Sequence, residues 1–230
     1  MILAAGRLPA AEIYRNAFRD PPGTAYREWS GDDCVWTANR EGSLVAGSAK
    51  CPAAVGISPA GTHFLGEFGG PKVLSYPPYD ADHFTTVRQT VRLKLERLPT
   101  HRQVSVSFDL LILKSWDGNN PIYGPDRWML SIAGGGVLLD TTFSNNFKTG
   151  RDLSLQDYPV PGSRPQAGAT RVTLQGYPFF GDSTYHLSFT FPHSGTSLVL
   201  EFSSALREGK GTADESWGLA NVLIRSDEEQ

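Results

Sequence analysis

Two carboxylates and two amides fall within one turn-rich stretch, Trp116-Asp117-Gly118-Asn119-Asn120 continuing to Pro125-Asp126. Calcium takes six to eight oxygen ligands, and Asp117, Asn119 and Asp126 with free main-chain carbonyls can supply most of such a set. The same residues suit turn chemistry: Asp117 and Asn119 can accept from neighbouring amides, and Asp126 can pair with Arg127 or cap a turn. Both readings stand at this level. Glu215, in Glu215-Ser216-Trp217-Gly218, also precedes a strand and can join either arrangement. Aromatic rings offer a second chemistry, because their faces stack on the apolar faces of pyranose rings. Trp116 and Tyr123 sit in the turn-rich stretch, and Tyr158 and Tyr177 border a long polar segment, so these four are the candidate ligand-binding residues. The competing role is packing, in which a buried aromatic contributes about 1.5–3 kcal/mol. Trp128, which opens an alternating run, reads as core. Two stacked rings at ~2 kcal/mol each give only about millimolar affinity, which suits a module that relies on avidity.

Signatures of catalysis do not emerge. The sequence holds no G-x-S-x-G elbow, no G-x-x-x-x-G-K-[ST] phosphate loop and no H-E-x-x-H zinc pair. His186 and His193 stand too far apart along a strand end to make a recognisable metal pair. A glycosidase needs two carboxylates roughly 5–9 Å apart, and no E-x-D-x-E run places acids on one strand face. Asp214 and Glu215 are adjacent, so in an extended segment they point apart. No catalytic residue is assigned.

The elements that must position these groups are strands. Period-2 alternation puts Val91, Leu93 and Leu95 on one face of a run, and Val104, Val106, Phe108, Leu110 and Ile112 on one face of the next. Tyr185, Leu187, Phe189 and Phe191 repeat the pattern, as do Leu198, Leu200 and Phe202. Leu98-Pro99-Thr100-His101 separates two such runs and predicts adjacent strands; Trp128 to Phe143 predicts a hairpin turning at Gly134 to Gly136; Gly218 to Arg225 predicts the last strand. No sustained 3.6-residue stripe appears, so helix is minor. Residues 31–63 read as a loop or small hairpin inserted after the first strands, and 145–169 as a polar, Pro/Gly-containing loop. The expected fold is an all-β, antiparallel two-sheet sandwich, one domain over residues 12–226 with a short tail at 227–230.

Composition agrees. The 230 residues are 40% hydrophobic, 11% aromatic and 20% charged, with 24 Gly and 16 Pro as turn punctuation, which excludes a disordered chain. A net charge of −3, with 21 basic residues dispersed among 24 acidic ones, argues against a nucleic-acid partner. No stretch approaches the roughly 20 apolar residues of a membrane span. Residues 1–11 resemble the end of a secretory signal without its basic start and long apolar run, and otherwise read as a frayed terminus. Cys34 and Cys51 are placed either for a disulfide, which in an oxidising compartment contributes about 3 kcal/mol, or as two separate buried thiols. Two cysteines without CxxC spacing or a nearby His fall short of a zinc set.

Three segments in order, FLGEFG (64–69), SFDLLILKSWDGNNPIYGPDRW (107–128) with its sequel LLDTTFSNN (138–146), and ESWGLANV (215–222), resemble a jelly-roll module of secreted bacterial proteins. IYRNAFRDPPGTAYREWS (13–30) fits the first strand and turn of the same module. The architecture is similar to carbohydrate-binding modules and the wider concanavalin-like sandwiches, and the resemblance implies a jelly-roll fold and a secreted or extracellular location more firmly than a ligand. Members usually join an acid in the first strand to an Asp in the last, as in GLDNV, around a structural calcium. The matching positions here are Ala17 and Ala220, so the resemblance implies that this site is absent or degraded, with Asp20 as the nearest substitute. The resulting expectation is a non-catalytic extracellular module that binds glycan or another cell-surface component. Self-association as a structural or assembly protein is the first alternative, and a polysaccharide-degrading enzyme the second.

Overall fold

The structure, a computed structural model, describes residues 11–40, 43–73, 85–147, 154–177, 181–207 and 211–227, with the side chains of 38–40 and 43–45 excepted. The first ten residues of the segment read as a signal remnant or frayed end, and residues 228–230 of the tail, lie outside the described residues.

Fourteen strands are described: β1 (Ala11–Asn16), β2 (Trp29–Gly31), β3 (Asp33–Arg40), β4 (Ser43–Lys50), β5 (Val55–Ile57), β6 (His63–Phe68), β7 (Thr86–Glu96), β8 (Gln103–Lys114), β9 (Arg127–Ile132), β10 (Val137–Thr142), β11 (Arg171–Val172), β12 (Asp182–Pro192), β13 (Ser197–Leu206) and β14 (Glu215–Ser226). They form two antiparallel sheets packed as a jelly-roll sandwich, as the alternation predicts. The first sheet runs β11-β12-β8-β14-β6-β5 and the second β10-β9-β13-β7-β3-β4. Each has a long strand whose free edge is shared by two short ones. Along β14, Trp217 and Leu219 face β6 while Val222 to Ser226 face β1; along β7, Thr86 to Arg88 face β3 while Val91 to Leu93 face β2. Among the described residues the sole helical element is a 3-10 turn at Gly211–Ala213.

Side chains that alternate inward fill the space between the sheets. Val91, Leu93, Val104, Val106, Phe108, Leu110, Ile112, Leu200 and Phe202 are all inaccessible to solvent. At the centre, Trp128 meets Trp217 edge-on at 5.9 Å and Phe108 at 5.9 Å, and Trp217 Nε1 donates to Ser204 Oγ at 2.9 Å. The run Leu110-Leu111-Ile112-Leu113 breaks alternation because this end of β8 is covered on both faces. Leu111 and Leu113 form a smaller outer cluster with Phe64 and Ala220, against which Tyr177 packs.

Two expectations need correcting. The Leu98–His101 turn does not join neighbours in one sheet: β7 lies in the second sheet and β8 in the first, so the turn crosses the sandwich. Alternation reports which face of a strand is buried and is blind to which sheet receives it. Of the two readings of residues 31–63, a loop or a small hairpin, the structure forms a hairpin and adds a short strand. These residues form the β3–β4 hairpin at one edge of the second sheet and β5 at one edge of the first. A disulfide, Cys34–Cys51, closes this hairpin over a sequence separation of 17. The chain passes Cys51 so closely that a Cβ on Gly31 would fall 1.9 Å from its carbonyl oxygen. The last strand is longer than expected, starting at Glu215 rather than Gly218. The β9–β10 hairpin turns as predicted, with Gly135 N donating to Ile132 O at 2.8 Å and Ile132 N to Gly136 O at 3.0 Å.

Two buried amides, Asn145 and Gln156, anchor the described part of the polar segment 145–169. Asn145 Nδ2 donates to the carbonyls of Ile112 (3.1 Å) and Lys114 (2.9 Å), while its Oδ1 accepts from Ser183 Oγ at 2.7 Å. Gln156 Oε1 accepts from the amides of Ser144 and Gln166, both at 3.0 Å, and its Nε2 donates to the carbonyls of Tyr158 and Ala167. Both amides are satisfied inside, where an unpaired one would be costly.

Candidate functional site

Asp117, Asp126 and Glu215 converge at one end of the sandwich. The first follows β8, the second immediately precedes β9 and the third opens β14. Pairing of Glu215 with Lys114 in the β8–β14 ladder brings the start of one strand beside the end of the other. An isolated bridge from Asp117 to Ser144 and a bond from Ser115 N to Asp214 O at 3.0 Å fix the turn. All three carboxylates are buried, and one oxygen of each lies within 4.8 Å of the others.

Their surroundings are polar but crowded. Asp126 Oδ2 accepts from the Asp117 amide at 2.5 Å and Oδ1 from the Arg207 amide at 3.2 Å. Asp117 Oδ1 accepts from Ser154 Oγ at 3.2 Å and from Asn146 Nδ2. Burial above all, then the negative charge of Asp117, pushes Asp126 up to about 8, against the pull of the two amides and a hydrogen bond with Glu215. Carboxylates this close in a dry site require protons or a cation to balance them. An all-oxygen set is what hard divalent ions prefer, and it fits calcium in donor type.

Asn119, the amide of the expected ligand set, lies two residues beyond Asp117. It is exposed, and its Nδ2 donates to Asp157 Oδ1 at 2.7 Å. The Asx-turn role belongs instead to Asn120, fully buried, whose Oδ1 accepts from the amides of Ile122 (2.8 Å) and Tyr123 (3.0 Å). Nor does Asp126 pair with Arg127, whose guanidinium is taken by Asp140 at 2.6 Å. Asp20, the nearest substitute for the family's calcium ligand, accepts from Tyr26 Oη at 2.6 Å.

The candidate aromatic residues do not make one platform. Trp116, expected in the open, is completely buried: Nε1 donates to Ser216 O at 2.8 Å and its ring meets Phe143 edge-on. A turn-rich neighbourhood misleads here because the turn folds back over the core. Tyr158 is half-buried against Phe143 and Tyr185, at 5.2 and 5.3 Å. Tyr177 packs on the outer cluster, donates to Glu67 Oε2 at 3.3 Å and carries Lys114 Nζ 5.1 Å from its ring centre. Burial and the Glu67 carboxylate push its hydroxyl far up. Tyr123 is half-buried.

Sequence reasoning missed a surface concavity of about 510 Å³ lined by Tyr14, Arg27, Glu28, Lys94, Glu96 and Arg97. Tyr14 is held in place there: Trp29 Nε1 donates to Tyr14 Oη at 2.7 Å, and Tyr14 Oη donates to Glu28 Oε1 at 3.2 Å. Burial pushes Tyr14 up to about 12, keeping the hydroxyl protonated. Lys94 pairs with Glu96 at 2.7 Å and, by that hydrogen bond first, holds its carboxyl down. These residues come from β1, the turn before β2 and the end of β7, so nothing in their local spacing could reveal them.

Comparison with known proteins adds little. No family model matches the chain, and no curated protein matches it. Among solved structures it is similar to dimeric latent PorU from Porphyromonas gingivalis (14% identity, 89% of this chain and 13% of that one, TM-score 0.34). It is likewise similar to the K2 cleaved adhesin domain of Lys-gingipain (11% identity, 92% of this chain and 96% of that one, TM-score 0.36). The fold assignment rests on this chain's own strand pairing.

Proposed function

We propose that this protein is a non-catalytic extracellular binding module, taking an acidic glycan or similar cell-surface component in the Tyr14–Arg97 concavity, with a structural calcium at Asp117, Asp126 and Glu215. The observation that carries the reading is the separation of acid chemistry from access. The carboxyl shifted into the range of a general acid, Asp126, is sealed from solvent, while Glu96 in the open concavity is held down by Lys94 and suits salt bridging rather than proton donation. Arg27, Lys94 and Arg97 outnumber Glu28 and Glu96 beside Tyr14, a lining suited to a carboxylate- or sulfate-bearing saccharide. The Cys34–Cys51 disulfide favours an oxidising location.

Binding to a panel of neutral and uronic-acid polysaccharides tests this. Acidic polymers should be retained, Arg27→Ala/Arg97→Ala should weaken retention at least tenfold without changing the melting temperature, and no reducing ends or unsaturated products should appear. Retention unaffected by the double substitution would remove the concavity as the site. Product formation would establish the enzyme instead, and a stable oligomer or fibre by light scattering would favour assembly. Calcium should raise the melting temperature in wild type and not in Glu215→Gln.

A further inference from the structure

Two turns cross the sandwich at the same end, residues 97–102 joining β7 to β8 and residues 193–196 joining β12 to β13. Their main chains are already laced, Leu98 N donating to Thr196 O and His193 N to Arg102 O, both at 3.0 Å. Between them lie two imidazoles, their ring centres 5.0 Å apart and their planes within 15° of each other. His101 Nδ1 is 2.5 Å from Pro99 O, His101 Nε2 is 2.7 Å from His193 Nδ1, and His193 Nε2 is 3.1 Å from Ser197 O.

A carbonyl oxygen only accepts, so His101 Nδ1 and His193 Nε2 must each carry a hydrogen to bond the two ends. A neutral imidazole has one N–H, so with both rings neutral the inner nitrogens face each other as two lone pairs. Completing all three bonds takes three protons on two rings, hence one positive charge. We propose that His101 and His193 share a single proton and act as a charged clasp between the two crossing turns, complete near neutral pH and weakened on either side of it.

The surroundings fit one charge and resist two. His101 is buried, and burial first, then the charge on His101, lowers the affinity of His193 for a second proton. Asp227, just beyond β14, supplies a nearby anion. Its Oδ1 accepts from the amides of Gln103 (2.6 Å) and Arg102 (2.9 Å), which hold the carboxyl down, with a further contribution from His101. Among the described residues, the other charged groups on these turns and the strand end beside them are Arg97 and Arg102 on the first turn and Glu96 at the end of β7, where Glu96 faces Ser197 in the ladder. Within the second turn His193 is the one titratable residue.

Apparent titration midpoints of such a pair belong to the pair. A clasp that keeps its one shared proton where free imidazoles lose theirs requires stability to fall as pH rises through that range. Below it the unfolded chain holds more protons, so stability also falls as pH drops. Long-range ¹H–¹⁵N NMR of the full chain at pH 6.5 should show three protonated ring nitrogens across His101 and His193. Two, with a bare nitrogen facing either Pro99 or Ser197, would overturn the clasp. The difference in melting temperature between wild type and His193→Gln should peak near pH 6.5, and a difference independent of pH would equally overturn it; the NMR result stands alone if that variant does not fold.

Discussion

Asp126 shows how much one residue's environment decides. In sequence it is one of 24 acids; in the structure it is sealed beside Asp117, and burial pushes it up to about 8. With its folded value above its ordinary one, the native state holds the extra proton across the window from about 4 to 8. Native binding then exceeds unfolded binding, so stability falls as pH rises through that window. In EDTA the protein should lose on the order of a few kcal/mol between pH 4 and 8. Asp126→Asn should flatten that slope, and calcium should reduce it by replacing the proton, all read from melting temperature against pH. A flat wild-type profile in EDTA would mean that Asp126 ionises freely. Trp116 carries the complementary lesson, because its indole N–H bonds Ser216 O inside the core. Trp116→Ala is therefore expected to cost about 3–5 kcal/mol of stability, measured by denaturant unfolding, whatever it does to ligand binding.

At the scale of elements, the β3–β4 hairpin illustrates what links replace when packing is thin. It sits at the edge of the second sheet, with β7 on one side of β3 over Thr86 to Arg88 only. The disulfide compensates by closing the hairpin's ends against β2, where Gly31 passes beneath Cys51. Cys34→Ser/Cys51→Ser should lower stability by about 3 kcal/mol, seen as a lower denaturant midpoint in non-reducing buffer. An unchanged midpoint would show that the ladder alone suffices. The cation-seeking end of the molecule depends on elements in the same way: the end of β8, the entry to β9 and the start of β14 must arrive together before any of the three carboxylates has the others as neighbours.

For the whole molecule, Trp217 ties the two layers. Its strand belongs to the first sheet, yet its indole donates to Ser204 of the second and meets Trp128 edge-on. Trp217→Phe keeps an aromatic but loses that bond, so a loss of about 1–3 kcal/mol is expected with both sheets still unfolding together, tested by coincident near- and far-ultraviolet circular dichroism. The alternating apolar runs by themselves determined the strands, their inward faces and hence the all-β sandwich, because period-2 patterning leaves a strand only one face to bury. Asp117 and Asp126 were legible as a candidate pair because they share one turn-rich stretch, and Glu215 because it too precedes a strand. Only the tertiary structure decided that the β7–β8 turn crosses between sheets, that Trp116 lies inside, and that Tyr14, Arg27 and Arg97 share a concavity. Each of those depends on which strands become neighbours. Burial periodicity carries no such information, since an inward-facing side chain satisfies the hydrophobic effect equally well in either sheet.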